Sequence, residues 1–275
     1  MDGIYEKLEA LKALLKGYGR TAVAFSGGVD STFLLKVAHD VLGDDCFALT
    51  VSSDVFPQRE HSGAVAFCRK EGIRQTVVDV DVLSVEGFAA NPPNRCYLCK
   101  SAIFRKMLQA TAAEGAAVVC EGSNVDDLGD YRPGLKAIAE LGVASPLREC
   151  GLSKAGIRKL SAELGLPTSA KPSFACLASR FPYGRKITSA GLRMVECAED
   201  FLRDAGFGQV RVRIHGDVAR IEVEPGSLAA VLGMRESIVA AMKGMGFAYV
   251  ALDLQGYRTG SLNERLDGVA VGGGR

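Results

Sequence analysis

The chain has 275 residues, 48% of them hydrophobic, and a formal net charge of +1. That length allows one large domain or two of ordinary size, and the apolar content excludes intrinsic disorder. The near-neutral charge speaks against a nucleic-acid surface, and no apolar run is long enough for a membrane span.

The opening Met1-Asp2-Gly3-Ile4-Tyr5-Glu6 does not read as a signal peptide, so a cytoplasmic location is expected. In that compartment the eight cysteines serve as thiols, metal ligands or catalysts rather than as disulfides. Ile4, Leu8, Leu11, Leu14 and Leu15 then form a helical stripe over residues 4–16. Thr21 to Phe25 reads as a buried strand, and residues from Thr32 to Ala38 carry apolar positions at helical spacing. Between them stands Ser26-Gly27-Gly28-Val29-Asp30-Ser31. A strand, a Gly-rich turn and a helix make an anion site. Glycines let the backbone approach a phosphate, and the N–H groups of the helix N-terminus point at it. Ser26 and Ser31 add hydroxyls. Asp30 repels phosphate, so its expected task is to hold a divalent cation. Asp30 also stands where a Walker loop needs Lys, which excludes that motif.

Cys46 to Val51, Ile73 to Val80 and Ala116 to Cys120 read as further strands, with helices from Gln58 to Arg69 and from Cys96 to Glu114. Strands alternating with helices predict an α/β fold, a parallel sheet with helices on both faces, with ligands at the carboxyl ends of the strands. Ser52, Ser53 and Asp54 lie at one such end, placed for the adenosine. Gly122, Ser123, Asn124, Asp126 and Asp127 lie at another, and their residue types suit magnesium and ribose contacts. Arg132 follows, within reach of substrate or phosphate. Ser153 is a candidate N-cap for a helix carrying Ile157, Leu160 and Leu164, and Gly165-Leu166-Pro167 ends it. The first domain is therefore set at 1–168.

Residues 169–187 lack any period and carry Cys176, an ordered loop or linker. Residues 188–275 form a second, small α+β domain. Its expected elements are a helix from Ala190 to Ala205, a hairpin of Gln209–Ile214 and Val218–Val223 around His215-Gly216-Asp217, a helix from Leu228 to Lys243, and a strand within Phe247–Leu254. A sheet covered on one face only leaves Val212, Ile214, Val223 and Val250 for a partner, so a homo-oligomer is expected. Arg211 and Arg213 share one strand face. They suit a substrate phosphate or carboxylate, or equally a solvated charged face, and Glu222 is a potential partner.

Cys96 and Cys99 form a CxxC pair at a helix start, which admits a redox pair, half a zinc site or part of an iron–sulfur site. Cys176 lies close in sequence to Lys171 and Arg180, cations that favour a thiolate nucleophile. Three such thiols would leave one iron of a four-iron cluster open to carry an extra sulfide. Cys46, Cys68, Cys120, Cys150 and Cys197 read as small buried hydrophobes.

The loop from Ser26 to Ser31 resembles the SGGxDS pyrophosphate loop of the ATP-pyrophosphatase superfamily, whose members cleave ATP to AMP and pyrophosphate. Several other stretches join it: Gly122-Ser123-Asn124 with Asp126-Asp127, Tyr131-Arg132-Pro133-Gly134, Ser145-Pro146-Leu147-Arg148, Lys171-Pro172, Ala175-Cys176-Leu177-Ala178-Ser179-Arg180-Phe181-Pro182, and Gly256-Tyr257-Arg258-Thr259-Gly260-Ser261-Leu262-Asn263. Together they resemble the LarE family of sulfur-inserting enzymes. The resemblance implies an ATP- and Mg2+-dependent enzyme acting on a small-molecule nucleotide, pyridinium-3,5-biscarboxylic acid mononucleotide. It implies adenylation of its carboxylates and replacement of AMP by sulfur. Cys176, Asp30 and Arg180 become the candidate catalytic residues. Ser26, Gly27, Gly28, Asp30, Ser31, Ser52, Gly122, Asn124, Asp127 and Arg132 become the candidate nucleotide and metal contacts. In the single-cysteine form of the family, the residue matching Cys176 surrenders its own sulfur. The added Cys96 and Cys99 depart from that form and resemble a subset in which three thiols hold a 4Fe–4S cluster, so the resemblance favours a cluster with reusable sulfur over the sacrificial mode. Other superfamily enzymes, amide synthetases and tRNA thiolases, are the rival readings.

Overall fold

The computed structural model describes residues 3–129, 133–172, 174–258 and 260–262. The expected Arg132 contact lies outside them. The described chain divides into two compact units. One holds the N-terminal part up to Val82 with Cys96–Phe174; the other holds Leu83–Arg95 and the chain from Ala175 onward.

In the first unit, β1 (Thr21–Ala24), β2 (Cys46–Ser52), β3 (Gln75–Asp79) and β4 (Val118–Cys120) form a parallel sheet in the order β3-β2-β1-β4. The helices are α1 (Gly3–Tyr18), α2 (Val29–Leu42), α3 (Gln58–Glu71), α4 (Arg95–Ala113), α5 (Pro133–Glu140), α6 (Pro146–Glu149) and α7 (Lys154–Glu163). Val23, Cys46 and Ala48 join one apolar cluster with Leu11, Phe33, Phe67 and Ile157. Their strand neighbours Ala22, Phe47 and Leu49 point the other way and are equally buried. Both faces of the sheet are therefore covered, as a parallel sheet requires. The chain leaves β1 towards β2 and β3 and returns to β4 on the opposite side of β1. That reversal is the switch point where α/β sheets bind ligands.

In the second unit, β5 (Val210–His215) and β6 (Val218–Val223) form the expected antiparallel hairpin, with Gly216 at φ +63 in its turn. β7 (Tyr249–Leu252) adds to β6 in parallel. α8 (Ser189–Asp204) is capped by Thr188, whose hydroxyl accepts the Gly191 N–H. The helix expected from Leu228 to Lys243 is two helices, α9 (Leu228–Gly233) and α10 (Arg235–Gly244), broken at Met234 directly after Gly233, a poor helix former. Val212 and Val223 are fully buried within this chain, so they are not free to face a partner. The exposed apolar side chains here are Leu232, Val239, Tyr249 and Leu254. Among the described residues, no helix is long and apolar enough to cross a membrane.

Candidate active site

The loop after β1 is built as its sequence demands. Gly27 sits at φ +72, where a side chain would be strained and a Cβ would lie 3.3 Å from the Glu60 carbonyl oxygen. Gly28 is extended and precedes α2; its carbonyl accepts the Thr32 N–H at 2.9 Å, the Thr32 hydroxyl at 2.8 Å and the Ser31 hydroxyl at 3.2 Å. Ser31 Oγ lies 3.0 Å from Ser26 Oγ and accepts the Ser26 N–H. The two hydroxyls expected to meet phosphate thus stand side by side, next to first-turn N–H groups that a helix cannot satisfy internally.

Asp30, one residue into α2, receives hydrogen bonds from Lys154 Nζ and, at 3.4 Å, from Asn124 Nδ2. A hydrogen-bond lattice holds both partners in place. Asn124 N–H donates to Asp127 at 2.9 Å, Asp126 N–H to Asn124 Oδ1 at 3.0 Å, and Lys154 N–H to Asp126 at 2.7 Å. Buried Glu121 accepts from Ser123 and Ser145 beneath them. A Cβ on Gly122 would come within 3.1 Å of Ser31 N, so only glycine lets the end of β4 approach the loop this closely. The expected acidic cluster is therefore a scaffold as well. Asp126 and Asp127 cap backbone N–H groups, whereas Asp30 faces side chains alone. Ser52 ends β2, its carbonyl accepting the Val80 N–H at 3.0 Å.

Two residues that the sequence did not single out complete this pole. Lys154 is the first residue of α7, behind the cap Ser153, whose hydroxyl accepts Gly156 N–H. A cation at a helix N-terminus opposes the helix dipole, and that mismatch was the available signal. Glu60 accepts Lys171 Nζ at 2.7 Å, and Lys171 also donates to the Gly27 carbonyl at 3.0 Å. Lys171 therefore braces the phosphate loop, and its charge is paired with Glu60 rather than left for a thiolate.

Cys96 is half-buried and Cys99 buried in the first turn of α4. Among the described residues, no group of three or more His, Cys, Asp or Glu side chains is gathered that could hold a metal ion. Burial pushes the Cys46 and Cys68 thiols up to about 12, and Cys120 higher still, which leaves them unreactive. Cys197 does not follow the expectation of burial: it is exposed. The buried face of α8 is Leu192, Val195, Ala198, Glu199 and Leu202, and Cys197 falls off that stripe.

In the second unit, Cys176 is half-buried and precedes a short turn, Leu177–Arg180. Its carbonyl accepts the Ser179 N–H at 3.0 Å, the Ser179 hydroxyl at 2.8 Å and Arg180 Nη1 at 3.2 Å. Arg180 is wholly buried. Its Nε and Nη2 meet Glu199 at 2.7 and 2.8 Å, and Nη1 also reaches the Ala175 carbonyl and Ser179 Oγ. Its guanidinium is thus engaged on protein atoms around Cys176. Glu199 further accepts the Val212 N–H and Arg203. Arg213 pairs with Glu222 and donates to the Ser179 carbonyl at 2.9 Å. Arg211 is buried, donates to the Val210 carbonyl and lies over the Tyr257 ring; burial, then the Arg180 charge, lower it to about 10. Arg211 and Arg213, which suited either substrate or a solvated face, are both buried, and Glu222 is Arg213's partner as anticipated.

Arg180→Leu leaves buried Glu199 with Arg203 as its remaining ion-pair partner and is expected to cost about 3 kcal/mol of stability, read from a urea melt. Burial raises the Glu199 carboxyl, but Arg180, Arg203 and Arg211 pull it down further, leaving it below the ordinary carboxylate range. A carboxyl held low when folded stabilises the fold above its unfolded value, and that contribution disappears as pH falls through the folded value. The loss is therefore expected below about pH 4, and Glu199→Gln should flatten that acid limb.

No family model matches the chain. It is 42% identical over 262 residues to an uncharacterized protein of Synechocystis sp., covering 94% of this chain and 98% of that one. It is 38% identical over 267 residues to the pyridinium-3,5-bisthiocarboxylic acid mononucleotide synthase of Lactiplantibacillus plantarum, covering 97% of each. A more distant likeness joins it to a GMP synthase of Phaeosphaeria nodorum, 27% identical over 193 residues, 59% of this chain and 35% of that protein. The match to the synthase spans the phosphate loop and the Cys176 segment alike, and the chain belongs to the LarE family of pyridinium-3,5-bisthiocarboxylic acid mononucleotide synthases.

Proposed function

We propose that the protein is an ATP-dependent sulfur transferase that turns the carboxylates of pyridinium-3,5-biscarboxylic acid mononucleotide into thiocarboxylates. The observation that carries this reading is the extent of the likeness. It covers 97% of both chains for the bisthiocarboxylic acid synthase, against 59% of this chain for the GMP synthase. An amide synthetase or a tRNA thiolase would share the phosphate loop, but the likeness here continues through the Cys176 segment.

The chemistry runs in two displacements. A substrate carboxylate oxygen attacks the α-phosphorus of ATP, the bond to the β-phosphate oxygen breaks, and pyrophosphate leaves an acyl adenylate. The α2 N-terminus, Ser26, Ser31 and Lys154 offer N–H, O–H and ammonium donors to the leaving charge. Asp30 would hold a divalent cation, with further oxygens coming from the nucleotide. A single carboxylate next to phosphates is the donor set magnesium takes, and the cation would supply charge neutralisation at pyrophosphate. The Cys176 thiolate then attacks the acyl carbon and AMP leaves, giving a thioester to the enzyme. Loss of the Cys176 Cα proton and cleavage of its Cβ–S bond release the thiocarboxylate and leave dehydroalanine. Arg180 acts in this scheme as a positioning residue, fixing the Cys176 carbonyl while its own charge is held by Glu199.

Cys96, Cys99 and Cys176 are the thiols that would hold a 4Fe–4S cluster, the first two in the first unit and the third in the second. No step is assigned to it. The test is incubation with ATP, Mg2+ and the biscarboxylic mononucleotide. AMP and pyrophosphate should form, and product mass should rise by about 16 Da for each oxygen replaced by sulfur. Formation of AMP with an amidated or unchanged acid would reject the reading.

A further inference from the structure

The segment Leu83–Arg95 leaves the first unit and belongs to the second, where it is tied to the chain just after Cys176. Asn91, wholly buried and at φ +56, makes the tie. Its amide nitrogen donates to the Phe181 and Pro182 carbonyls at 3.2 and 2.8 Å, and its carbonyl accepts the Gly184 N–H at 2.9 Å. Ile187 N–H adds a bond to the Ala89 carbonyl at 2.8 Å.

At the end of this segment stands Arg95, 3% exposed. Its Nη1 donates to Asn91 Oδ1 at 2.7 Å, its guanidinium lies 4.6 Å from the centre of the Tyr183 ring, and its Nε is buried with no hydrogen-bond partner. Two other buried guanidiniums differ: Arg180 and Arg213 each meet a carboxylate within 2.7 Å. Among the described residues no carboxylate comes within ion-pair distance of Arg95. A guanidinium keeps its charge when buried, and a buried charge without a counter-charge is costly unless something supplies one. Protein interiors rarely leave such a group idle, and Arg is the residue suited to bidentate oxyanion recognition.

We infer that Arg95, backed by Asn91 and Tyr183, binds the phosphate monoester of the nucleotide substrate. This rests on the sulfur-transferase reading above. The phosphate is preferred to the carboxylates because these lose their charge when adenylated, whereas the phosphate stays anionic through both rounds. Its capture here would hold the pyridinium nucleotide on the same unit as Cys176.

The test fills the phosphate loop with α,β-methylene-ATP and measures binding by calorimetry of pyridinium-3-carboxylic acid mononucleotide and of its riboside, which lacks the phosphate. Wild type should bind the mononucleotide at least tenfold more tightly than the riboside. Arg95→Met should lose that difference, weakening the mononucleotide about tenfold or more while leaving the riboside unchanged. Should Arg95→Met fail to fold, Arg95→Lys carries the same comparison, since an ammonium keeps the charge but not the fork; a severalfold loss confined to the mononucleotide is expected. Equal effects on both ligands, no effect in a folded variant, or no mononucleotide binding by wild type would each overturn the inference. The AMP assay on the biscarboxylic substrate scores the underlying reading separately.

Discussion

Asp30→Ala is expected to cut AMP and pyrophosphate formation about 10²–10³-fold, equivalent to about 3–4 kcal/mol of transition-state stabilisation, with the fold intact. Asp30 lies in the first turn of α2 beside the two loop hydroxyls, with its carboxylate on Lys154 and Asn124 rather than on backbone. Both members of the ion pair keep part of their side chains in solvent, 29% for Lys154 and 22% for Asp30, so breaking it should move stability by no more than about 1 kcal/mol. The large kinetic effect and the small stability effect together separate a phosphate-site carboxylate from a structural one. Asp30→Asn sharpens the test: it keeps an oxygen for Lys154 and Asn124 but loses the charge a magnesium ion needs. If folded Asp30→Ala released pyrophosphate at the wild-type rate, Asp30 would have no place in the site.

The phosphate loop was legible because its information is local. Apolar Thr21 to Phe25, two glycines and a helical period are contiguous, and φ +72 at Gly27 is what such a turn demands. The Ser153 cap and the Gly216 hairpin were legible for the same reason. What sequence reasoning missed is pairing across long separations. Lys154 meets Asp30, Lys171 meets Glu60, and Asn91 meets the chain at 181–184, and no periodicity carries such information. Arg211 and Arg213 illustrate a subtler limit. On a two-residue period, charges on one strand face suggest solvent or substrate, but here that face is buried. The clue lay elsewhere, in Glu199, which shares the apolar face of α8 with Val195 and Leu202. A carboxylate on such a face announces a buried cation. The break at Met234 was missed because helical spacing continues through it, while the break itself follows a single glycine.

Cys176→Ala is expected to abolish thiocarboxylate formation while leaving AMP and pyrophosphate release within a few-fold of wild type. The thiol belongs to the second displacement, whereas adenylation uses the loop after β1. Cys176→Ser is the sharper variant, because a hydroxyl could accept the acyl group but has no sulfur to surrender, so an ester to the protein would trap the intermediate. In wild type after turnover, mass spectrometry should find the protein lighter by about 34 Da, with dehydroalanine at 176, since sulfur leaves with the substrate and two hydrogens are lost in all. Cys96→Ala and Cys99→Ala should each retain one round of transfer, because in this scheme neither thiol touches the acyl group. A cluster-bound sulfide predicts the opposite pattern. Protein prepared anaerobically would carry iron, each of the three single replacements would lose most of it, and Cys176 would remain intact after several rounds. An unmodified Cys176 alongside more than one thiocarboxylate per chain would overturn the sacrificial route. Dehydroalanine at 176 in iron-free protein would leave Cys96 and Cys99 without a part in sulfur delivery.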